Sequence, residues 1–405
     1  MTETQSPRST EQDGRRRKER RGRSLRPLIL LVTLALVLGG IAWVLTRDGA
    51  KTTGAGTPAA SGPAAITKIG ASILPPISQT GARPASADKA SGVVQVTATT
   101  KKPSAEVTLQ VQRSSGWADL TTATLDQDGL ASFQVPGGEK DSTSALRVVS
   151  SSDRQVRSAS FQADGWTLGF DEQFGGDALD ETKWGYRQVG MLNPGRTKSE
   201  SSPAAVKVEN GALELGVSEN PARPGYYLNG HISTELTYSF TYGVAAARVK
   251  FQKPRGMHGS FWLQSPVFGS VPGDAKASGS EIDTVEYFGS TYPDGGLATF
   301  TYFKDKDGNS AKSGGLQTEM SDAIAKKGDA WWKKYHVFSV EWTPEAYVFR
   351  IDGIETFRQT KNISAVPEVL LLSLLSSDWE LPDLDKSQLP ADMLVDWVRV
   401  WQAAG

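Results

Sequence analysis

Three carboxylic acids lie within six residues of this chain, at Glu281, Asp283 and Glu286, in a segment whose other residues favour a buried strand. Strict alternation along a strand puts Glu281 and Asp283 on one face and Glu286 on the other. One β-bulge after Asp283 would return Glu286 to the shared face, and bulges are over-represented beside active sites. Two glutamates on one face could reach the ~5–5.5 Å carboxyl separation at which one attacks a sugar carbon and the other transfers a proton.

The alternative interpretation is a charged strand that simply faces water, because short motifs often arise by chance. Three acids crowded on one face repel each other, and this repulsion costs stability unless the site uses the shifted pKa values. The crowding therefore favours catalysis over an ordinary wet surface.

The composition excludes several other classes of site. The 405 residues contain no cysteine, which excludes disulfides, thiolate catalysis and thiolate metal sites. Only three histidines are present, so a multi-histidine metal site is not expected. The formal net charge is −1, which gives no electrostatic case for a nucleic-acid partner.

The N-terminal region predicts membrane attachment. Residues 1–27 form a basic tail, and residues 28–46 form an almost wholly apolar segment that is long enough to span a bilayer. A basic N-terminal flank stays in the cytoplasm, so the predicted single-pass anchor would leave the C-terminal domains outside, at the cell membrane. The apolar core is longer than the ~7–15 residues of a usual secretory signal, but cleavage followed by secretion remains the alternative.

Three further regions follow. Residues 47–90 have the Gly, Ala, Ser, Thr and Pro content of a flexible linker. Residues 91–163 contain short alternating segments separated by turn residues, which predict a small β-sandwich similar to immunoglobulin-like modules. Residues 164–405 contain many strand patterns and one helical candidate, 318–327, and so predict a large all-β sandwich or barrel.

The segment Glu281-Ile282-Asp283-Thr284-Val285-Glu286 resembles the bulged signature of glycoside hydrolase family 16, which includes laminarinases, lichenases and agarases. Other blocks match that family in the same order, and together they cover residues 164–405. They are the opening strand 170–174, the segments 229–234, 240–243 and 246–250, the pair Phe261-Trp262, the segments 335–344 and 351–353, and the closing strand 395–401.

The resemblance implies a concanavalin A-like β-jelly roll whose concave face is an open cleft for a polysaccharide. It implies that Glu281 is the nucleophile, that Glu286 is the general acid/base, and that Asp283 between them tunes both. Glu281 must be ionised to attack, whereas Glu286 must hold a proton at the working pH.

Two positions depart from the family pattern. His258-Gly259-Ser260 stands where many glucan-cleaving members have Trp-Pro-Ala, and Thr301 stands where a histidine often follows the catalytic strand. The resemblance places both positions in the cleft, so His258 and Thr301 are candidate substrate contacts. His258 is expected to replace part of the missing hydrogen-bond donation, although an ordinary surface histidine is an equal alternative.

Further substrate contacts are expected from residue type, because aromatic rings stack on the apolar faces of sugars. The candidates are Trp262, Tyr287 and Trp379, with core packing as the alternative for each. The resemblance favours Trp379, which stands at the place of the family's late Asn-Trp pair. Asn229 is a weaker candidate.

No cofactor is expected to be required. Several family members bind a structural calcium, and by resemblance its ligands here would be Glu172, Gly211 and Asp396. Oxygen ligands suit calcium, but a plain hydrogen-bonding role for Asp396 is an equal alternative.

The sequence thus predicts a retaining endo-β-glycosidase that hydrolyses a polysaccharide, with a β-1,3- or mixed-linkage glucan favoured. A transglycosylase that remodels extracellular or cell-wall polysaccharide uses the same covalent step and is the first alternative. A non-catalytic carbohydrate-binding protein is the second, although a pure binder has no need of two crowded glutamates. The polymer, the linkage and the oligomeric state are left open by the sequence.

Overall fold

The computed structural model describes residues 66–75, 92–101, 104–126, 129–135, 145–162 and 166–403. The first part of this range is a small sandwich of two antiparallel sheets, with strand orders β1-β2-β5 and β4-β3-β6-β7. Apolar side chains from both sheets form its separate core. The strands are β1 (Ile66–Leu74), β2 (Gly92–Thr100), β3 (Glu106–Arg113), β4 (Gly116–Thr124), β5 (Leu130–Val135), β6 (Ala145–Ser150) and β7 (Phe161–Gln162).

Strand β1 corrects the predicted linker. The nine residues of β1 pair antiparallel with β2 and bury Ile66, Ile69 and Leu74. The prediction of a flexible linker over 47–90 was therefore wrong for this segment, because its few apolar residues complete the sandwich core. The remainder of the predicted linker, the basic tail 1–27 and the apolar segment 28–46 lie outside the described residues.

The second part is the predicted all-β domain. Its strands are β8 (Trp166–Glu172), β9 (Gly185–Tyr186), β10 (Ser199–Ser201), β11 (Val206–Glu209), β12 (Ala212–Glu219), β13 (Tyr227–Ser233), β14 (Gly243–Lys250), β15 (His258–Gln264), β16 (Glu281–Tyr287), β17 (Leu297–Lys304), β18 (Ser310–Leu316), β19 (His336–Trp342), β20 (Tyr347–Ile351), β21 (Ile354–Gln359), β22 (Val369–Leu375) and β23 (Ala391–Ala403). Its α-helices are α1 (Ala275–Ser278) and α2 (Thr318–Lys326), and α2 confirms the helical candidate.

These strands form two packed sheets. The front sheet has the order β18-β17-β16-β15-β22-β13, and the back sheet has the order β12-β23-β14-β19-β20-β21. One large core of buried aliphatic and aromatic side chains from both sheets lies between them. The predicted all-β jelly-roll class is confirmed, with almost every pairing antiparallel.

Strand β13 joins the two sheets. Its first residues pair with β12 of the back sheet, and from Gly230 onward it pairs with β22 of the front sheet. A Cβ atom at Gly230 would lie 2.6 Å from the Ala205 carbonyl oxygen and 2.9 Å from Leu215 Cβ. Only glycine fits at this crossing, because any side chain would collide with the neighbouring backbone.

The outer face of the front sheet lies opposite the core. Leu370, Leu372 and Leu374 of β22 point into the core, so Leu371 and Ser373 point to the opposite face. Leu371 and Ser373 are nevertheless buried, because neighbouring side chains and loops cover this face. We call this face over β13, β22, β15, β16 and β17 the cleft, because the resemblance predicts the substrate cleft on this side of the sheet. Among the described residues, no helix combines the length and apolar character needed to cross a membrane.

Candidate active site

The three acids occupy β16, and the predicted bulge lies between them. Asp283 pairs with Phe300 and Glu286 with Ala298, so three steps along β16 match two steps along β17. On the other side of β16, strand β15 pairs Trp262 with Asp283 and Phe261 with Val285. Two adjacent residues of β15 therefore match three residues of β16, and Thr284 is the extra one. The extra residue returns Glu286 to the face that carries Glu281 and Asp283.

Strand β15 identifies that shared face as the cleft. Gln264 pairs with Glu281, Trp262 with Asp283, and Ser260 with Glu286. The residues between them, Leu263 and Phe261, belong to the core between the sheets. All three acids therefore point away from the core and into the cleft.

Glu281 is held by a short relay of hydrogen bonds. Gln264 Nε2 donates to Glu281 Oε2 at 2.6 Å, and Arg187 Nη2 donates to Gln264 Oε1 at 2.7 Å. Burial raises the pKa of Glu281, while the Gln264 hydrogen bond and the positive charge of Arg187 oppose that rise. The relay thus fixes one carboxylate oxygen and favours the ionised form that an attacking group needs.

Asp283 and Glu286 have fewer compensating contacts. Burial, followed by the negative charges of Glu286 and Glu281, raises the pKa of Asp283 well above its usual value. Burial also raises the pKa of Glu286, which His258 opposes and the charge of Glu281 reinforces. The environment therefore favours a proton on Glu286 and on Asp283, in keeping with an acid role for Glu286.

His258, the first departure from the family pattern, lies on the cleft face of β15. Its Nδ1 is 2.7 Å from Glu380 Oε2, and the same oxygen accepts a hydrogen bond from the Ser377 backbone N–H at 2.9 Å. Burial alone would lower the pKa of His258, but the carboxylates of Glu380 and Glu286 raise it to about 9. His258 is therefore a cation at neutral pH.

The predicted aromatic contacts fall into two groups. Trp262 lies on the cleft floor, where its Nε1 donates to Ser373 Oγ at 3.2 Å and its ring stacks on His231 at 6.0 Å. Trp379 is 57% exposed at the cleft rim, with its ring centroid 5.9 Å from that of Phe288. Both rings lie where a sugar could stack on them.

Tyr287 is not a cleft residue. It follows the bulge, so alternation turns it into the core, where it is 2% exposed and packs against Phe251 at 5.3 Å. The prediction that Tyr287 contacts the substrate was wrong.

We expect Tyr287→Ala to lower the free energy of unfolding by about 3–5 kcal/mol, because it leaves a large cavity in the core. Trp379→Ala, its matched control, should change stability by less than about 0.5 kcal/mol, since Trp379 is mostly exposed. Urea unfolding followed by circular dichroism measures both values. Equal losses of stability would contradict the assignment of these two aromatic residues.

The prediction that Thr301 faces the cleft was also wrong. It pairs with Ile282, a core residue, and its hydroxyl donates to Gln359 of the back sheet. Its neighbours on the other face of β17, Phe300 and Tyr302, pair with Asp283 and Glu281 and therefore face the cleft. Lys312 of β18 lies over both rings, at 4.4 and 5.8 Å.

Asn229 lies below the surface that a polymer could reach. Its side chain is completely buried, and neither Oδ1 nor Nδ2 has a partner among the described residues. Burial alone does not test a substrate contact, so the role of Asn229 stays a prediction.

Sequence reasoning missed Gln264, Arg187 and Glu380. Alternation along β15 from Trp262 would have identified Gln264, which occupies the same face two residues later. Glu380 directly follows a residue that was singled out, but its contact with His258 joins positions 122 residues apart. No local signal identifies Arg187.

The predicted calcium ligands make other contacts. Asp396 Oδ2 is 2.7 Å from Arg248 Nη1, and Glu172 Oε1 accepts from the backbone N–H groups of Gln173 and Phe174. The carboxylate of Asp396 is thus already neutralised by a guanidinium, which does not favour a cation at Glu172, Gly211 and Asp396. The described residues contain no cluster of three or more acidic or histidine side chains arranged to hold a metal.

Glu368 supports the start of the catalytic strand from below. Its side chain is fully buried, and Oε1 accepts from the Ser280 backbone N–H at 3.1 Å, directly before Glu281. Burial raises the pKa of Glu368 from its ordinary value of 4.5 to about 8. The carboxyl group is therefore protonated in the folded protein at neutral pH.

The raised pKa of Glu368 makes the stability of the folded protein depend on pH. Between pH 4.5 and about 8 the folded state holds a proton on Glu368 that the unfolded state has lost, so its contribution to stability falls as pH rises. We expect Glu368→Gln to weaken this loss, because the amide can still accept from Ser280 but does not ionise. Urea unfolding across this pH range tests it, with Glu345→Gln in an exposed loop as the control. Parallel curves for parent and Glu368→Gln would contradict the assignment.

Comparisons with known proteins identify a matching family and several similar proteins. The sequence pattern of Glycosyl hydrolases family 16 matches residues 195–399. Glucan endo-1,3-beta-glucosidase A1 of Niallia circulans is 26% identical over 272 residues, which cover 59% of this chain and 38% of that protein. A beta-glucanase of Acetivibrio thermocellus is 25% identical over 172 residues, which cover 42% of this chain and 45% of that protein. The chain thus spans less than half the length of these two curated relatives.

Among solved structures, the catalytic domain of an endo-1,3-beta-glucanase (laminarinase) from Thermotoga petrophila RKU-1 is similar. The two chains are 19% identical with a TM-score of 0.48, and the match covers 60% of this chain and all of that one (100%).

Proposed function

The chain belongs to glycosyl hydrolases family 16, and on that premise we propose that it is a retaining endo-β-glycosidase that hydrolyses a polysaccharide. The observation that carries the proposal is the bulge in β16, which brings Glu281 and Glu286 to one face of the cleft. A binding protein has no need of two partly buried glutamates on one face, of which Glu281 raises the pKa of Glu286.

The proposed reaction has two steps. Glu281 attacks the anomeric carbon to form a C–O bond while the glycosidic bond breaks, and Glu286 gives its proton to the departing sugar oxygen. Glu286 then takes a proton from a water molecule, whose oxygen attacks the same carbon and releases Glu281. Burial and the negative charges of Glu286 and Glu281 raise the pKa of Asp283, which lies between the two glutamates, so Asp283 favours its protonated, neutral form.

The favoured substrate is a β-1,3- or mixed-linkage glucan. The names of the two curated relatives, a glucan endo-1,3-beta-glucosidase and a beta-glucanase, support this choice. Trp262 on the cleft floor and Trp379 at its rim supply stacking surfaces for neutral sugar rings.

The test incubates the purified chain and its Glu281→Ser variant with laminarin, mixed-linkage glucan, agarose and xyloglucan, and products are read by chain length. We expect shorter products from a β-glucan with the parent only. Products longer than the input would instead identify a transglycosylase. Binding without turnover by both proteins would identify a carbohydrate-recognition protein.

We further propose that residues 28–46 anchor the chain in the cell membrane, with the immunoglobulin-like sandwich as a spacer and the catalytic domain outside. The basic tail before this apolar segment supports that orientation. Protease added to intact cells would release the catalytic domain if the proposal holds. Protection from protease until the cells are lysed would contradict it.

A further inference from the structure

The pair formed by His258 and Glu380 has no part in the two-glutamate reaction described above, yet it borders the acid/base. Ser260 lies opposite Glu286 on β15, and His258 lies two residues away on the same face. The His258 ring is 5.8 Å from that of Phe288, the second residue after Glu286. Glu380 is 3% exposed, so this is a buried charged pair at the edge of the reacting groups.

Hydrogen bonds fix both members of the His258–Glu380 pair in place. Glu380 Oε2 accepts from both His258 Nδ1 and the Ser377 backbone N–H, so the loop that carries Glu380 is fixed to β15. A buried ion pair that is not required for folding often costs stability, so a role in the site is the better explanation.

The charges around Glu286 define what His258 does. The negative groups that act on Glu286 are Glu281 and Glu380, and the positive groups are His258 and Lys312 of β18. Of these four, His258 has the largest influence, and it opposes the effect of burial. Asp283 on the same strand is neutral when it holds its proton. The positive charge of Arg196 lowers the pKa of His258.

We propose that the imidazolium of His258, held by Glu380, is a positioning residue that allows Glu286 to lose its proton in the first step and remain ionised until it accepts one from water in the second. This inference rests on the proposed function of Glu286. An acid/base that is too strongly protonated serves the first step but fails the second, because it cannot act as a base. Burial and the negative charge of Glu281 raise the pKa of Glu286, and the positive charge of His258 opposes this rise.

The kinetic test is the pH dependence of kcat/KM on the polysaccharide that the chain hydrolyses. The alkaline limb reports loss of the proton from Glu286 in the free enzyme. Without the charge of His258 the pKa of Glu286 rises, so His258→Gln should move this limb upward by about one pH unit. Glu380→Gln should move it in the same direction by less, because it removes the His258 charge but also a negative charge that acts on Glu286.

The matched control is Asp383→Asn, which changes one carboxyl group three residues beyond Glu380. Asp383 pairs with Arg255 at 2.5 Å and does not contact His258. We expect its alkaline limb to match that of the parent. Unmoved limbs in both His258→Gln and Glu380→Gln, or an equal shift in Asp383→Asn, would overturn the proposal. If His258→Gln does not fold, Glu380→Gln carries the test.

A second measurement does not depend on activity. The chain has three histidines, so the His258 ring signals can be assigned by their loss in the His258→Gln spectrum. We expect NMR titration to give a pKa of about 9 in the parent, with a fall in Glu380→Gln and a smaller fall in Glu286→Gln. No fall in Glu286→Gln would overturn the coupling even in an active enzyme. A clear fall in a protein that cleaves no polysaccharide would support the coupling and reject only the proposed hydrolase.

Discussion

Glu281→Ser is expected to lower polysaccharide hydrolysis by at least about 10³-fold, since removal of a covalent nucleophile has cost as much as about 10⁶-fold in other enzymes. The serine is too short to reach the carbon that Glu281 attacks, and it leaves Gln264 Nε2 without its acceptor. Initial rates on the polymer identified in the substrate panel give the ratio. Glu345→Ser, in an exposed loop, should keep the parent rate.

A second measurement separates loss of the nucleophile from structural damage. An activated aryl glycoside and a small anion such as azide should restore turnover in Glu281→Ser, because the anion can occupy the place of the missing carboxylate and attack the same carbon. The product should be a glycosyl azide of inverted configuration. No azide product from a folded variant that has also lost hydrolysis would argue against Glu281 as the nucleophile.

The catalytic strand could be predicted from its sequence because the constraint is local. Glu281, Asp283 and Glu286 cannot share a face without one extra residue, so the acids themselves indicate the bulge that Thr284 supplies. The same bulge also determines the orientation of Tyr287, which must turn inward if Glu286 points outward. The misassignment of Tyr287 was therefore avoidable from local geometry alone.

The neighbouring strand could not be placed in the same way. Phe300, Thr301 and Tyr302 alternate between faces, and either set of residues is compatible with a strand that borders a cleft. Only the pairing of Thr301 with Ile282 decides which set faces the core. Register is a property of two strands, so a one-residue slip exchanges the two faces without any change in the local pattern.

The supporting contacts depend on distances along the chain that a sequence pattern does not encode. Gln264 is 77 residues from Arg187, and Glu380 is 122 residues from His258. The order of strands in the front sheet brings these positions together, with β22 between β13 and β15. The residue types that react could be recognised from the sequence, whereas the groups that set their pKa values required the fold.

Glu286→Gln is expected to lower hydrolysis of the polysaccharide by about 10²–10⁴-fold, the range that a positioned general acid contributes. Glutamine keeps the size of the side chain but has no proton to give to the departing sugar oxygen. An aryl glycoside with an acidic leaving phenol needs little protonation, so its first step should be nearly unaffected. The second step should become limiting, because glutamine cannot take a proton from water.

Stopped-flow measurement of phenol release checks both parts of this prediction. The Glu286→Gln variant should show a burst of one phenol per enzyme followed by slow turnover, and its polymer activity should lose the alkaline limb that the parent shows. Azide should speed the slow phase, since it attacks the glycosyl-enzyme without a general base. An equal loss on the polymer and the aryl glycoside, without a burst, would mean that Glu286 is not the acid/base.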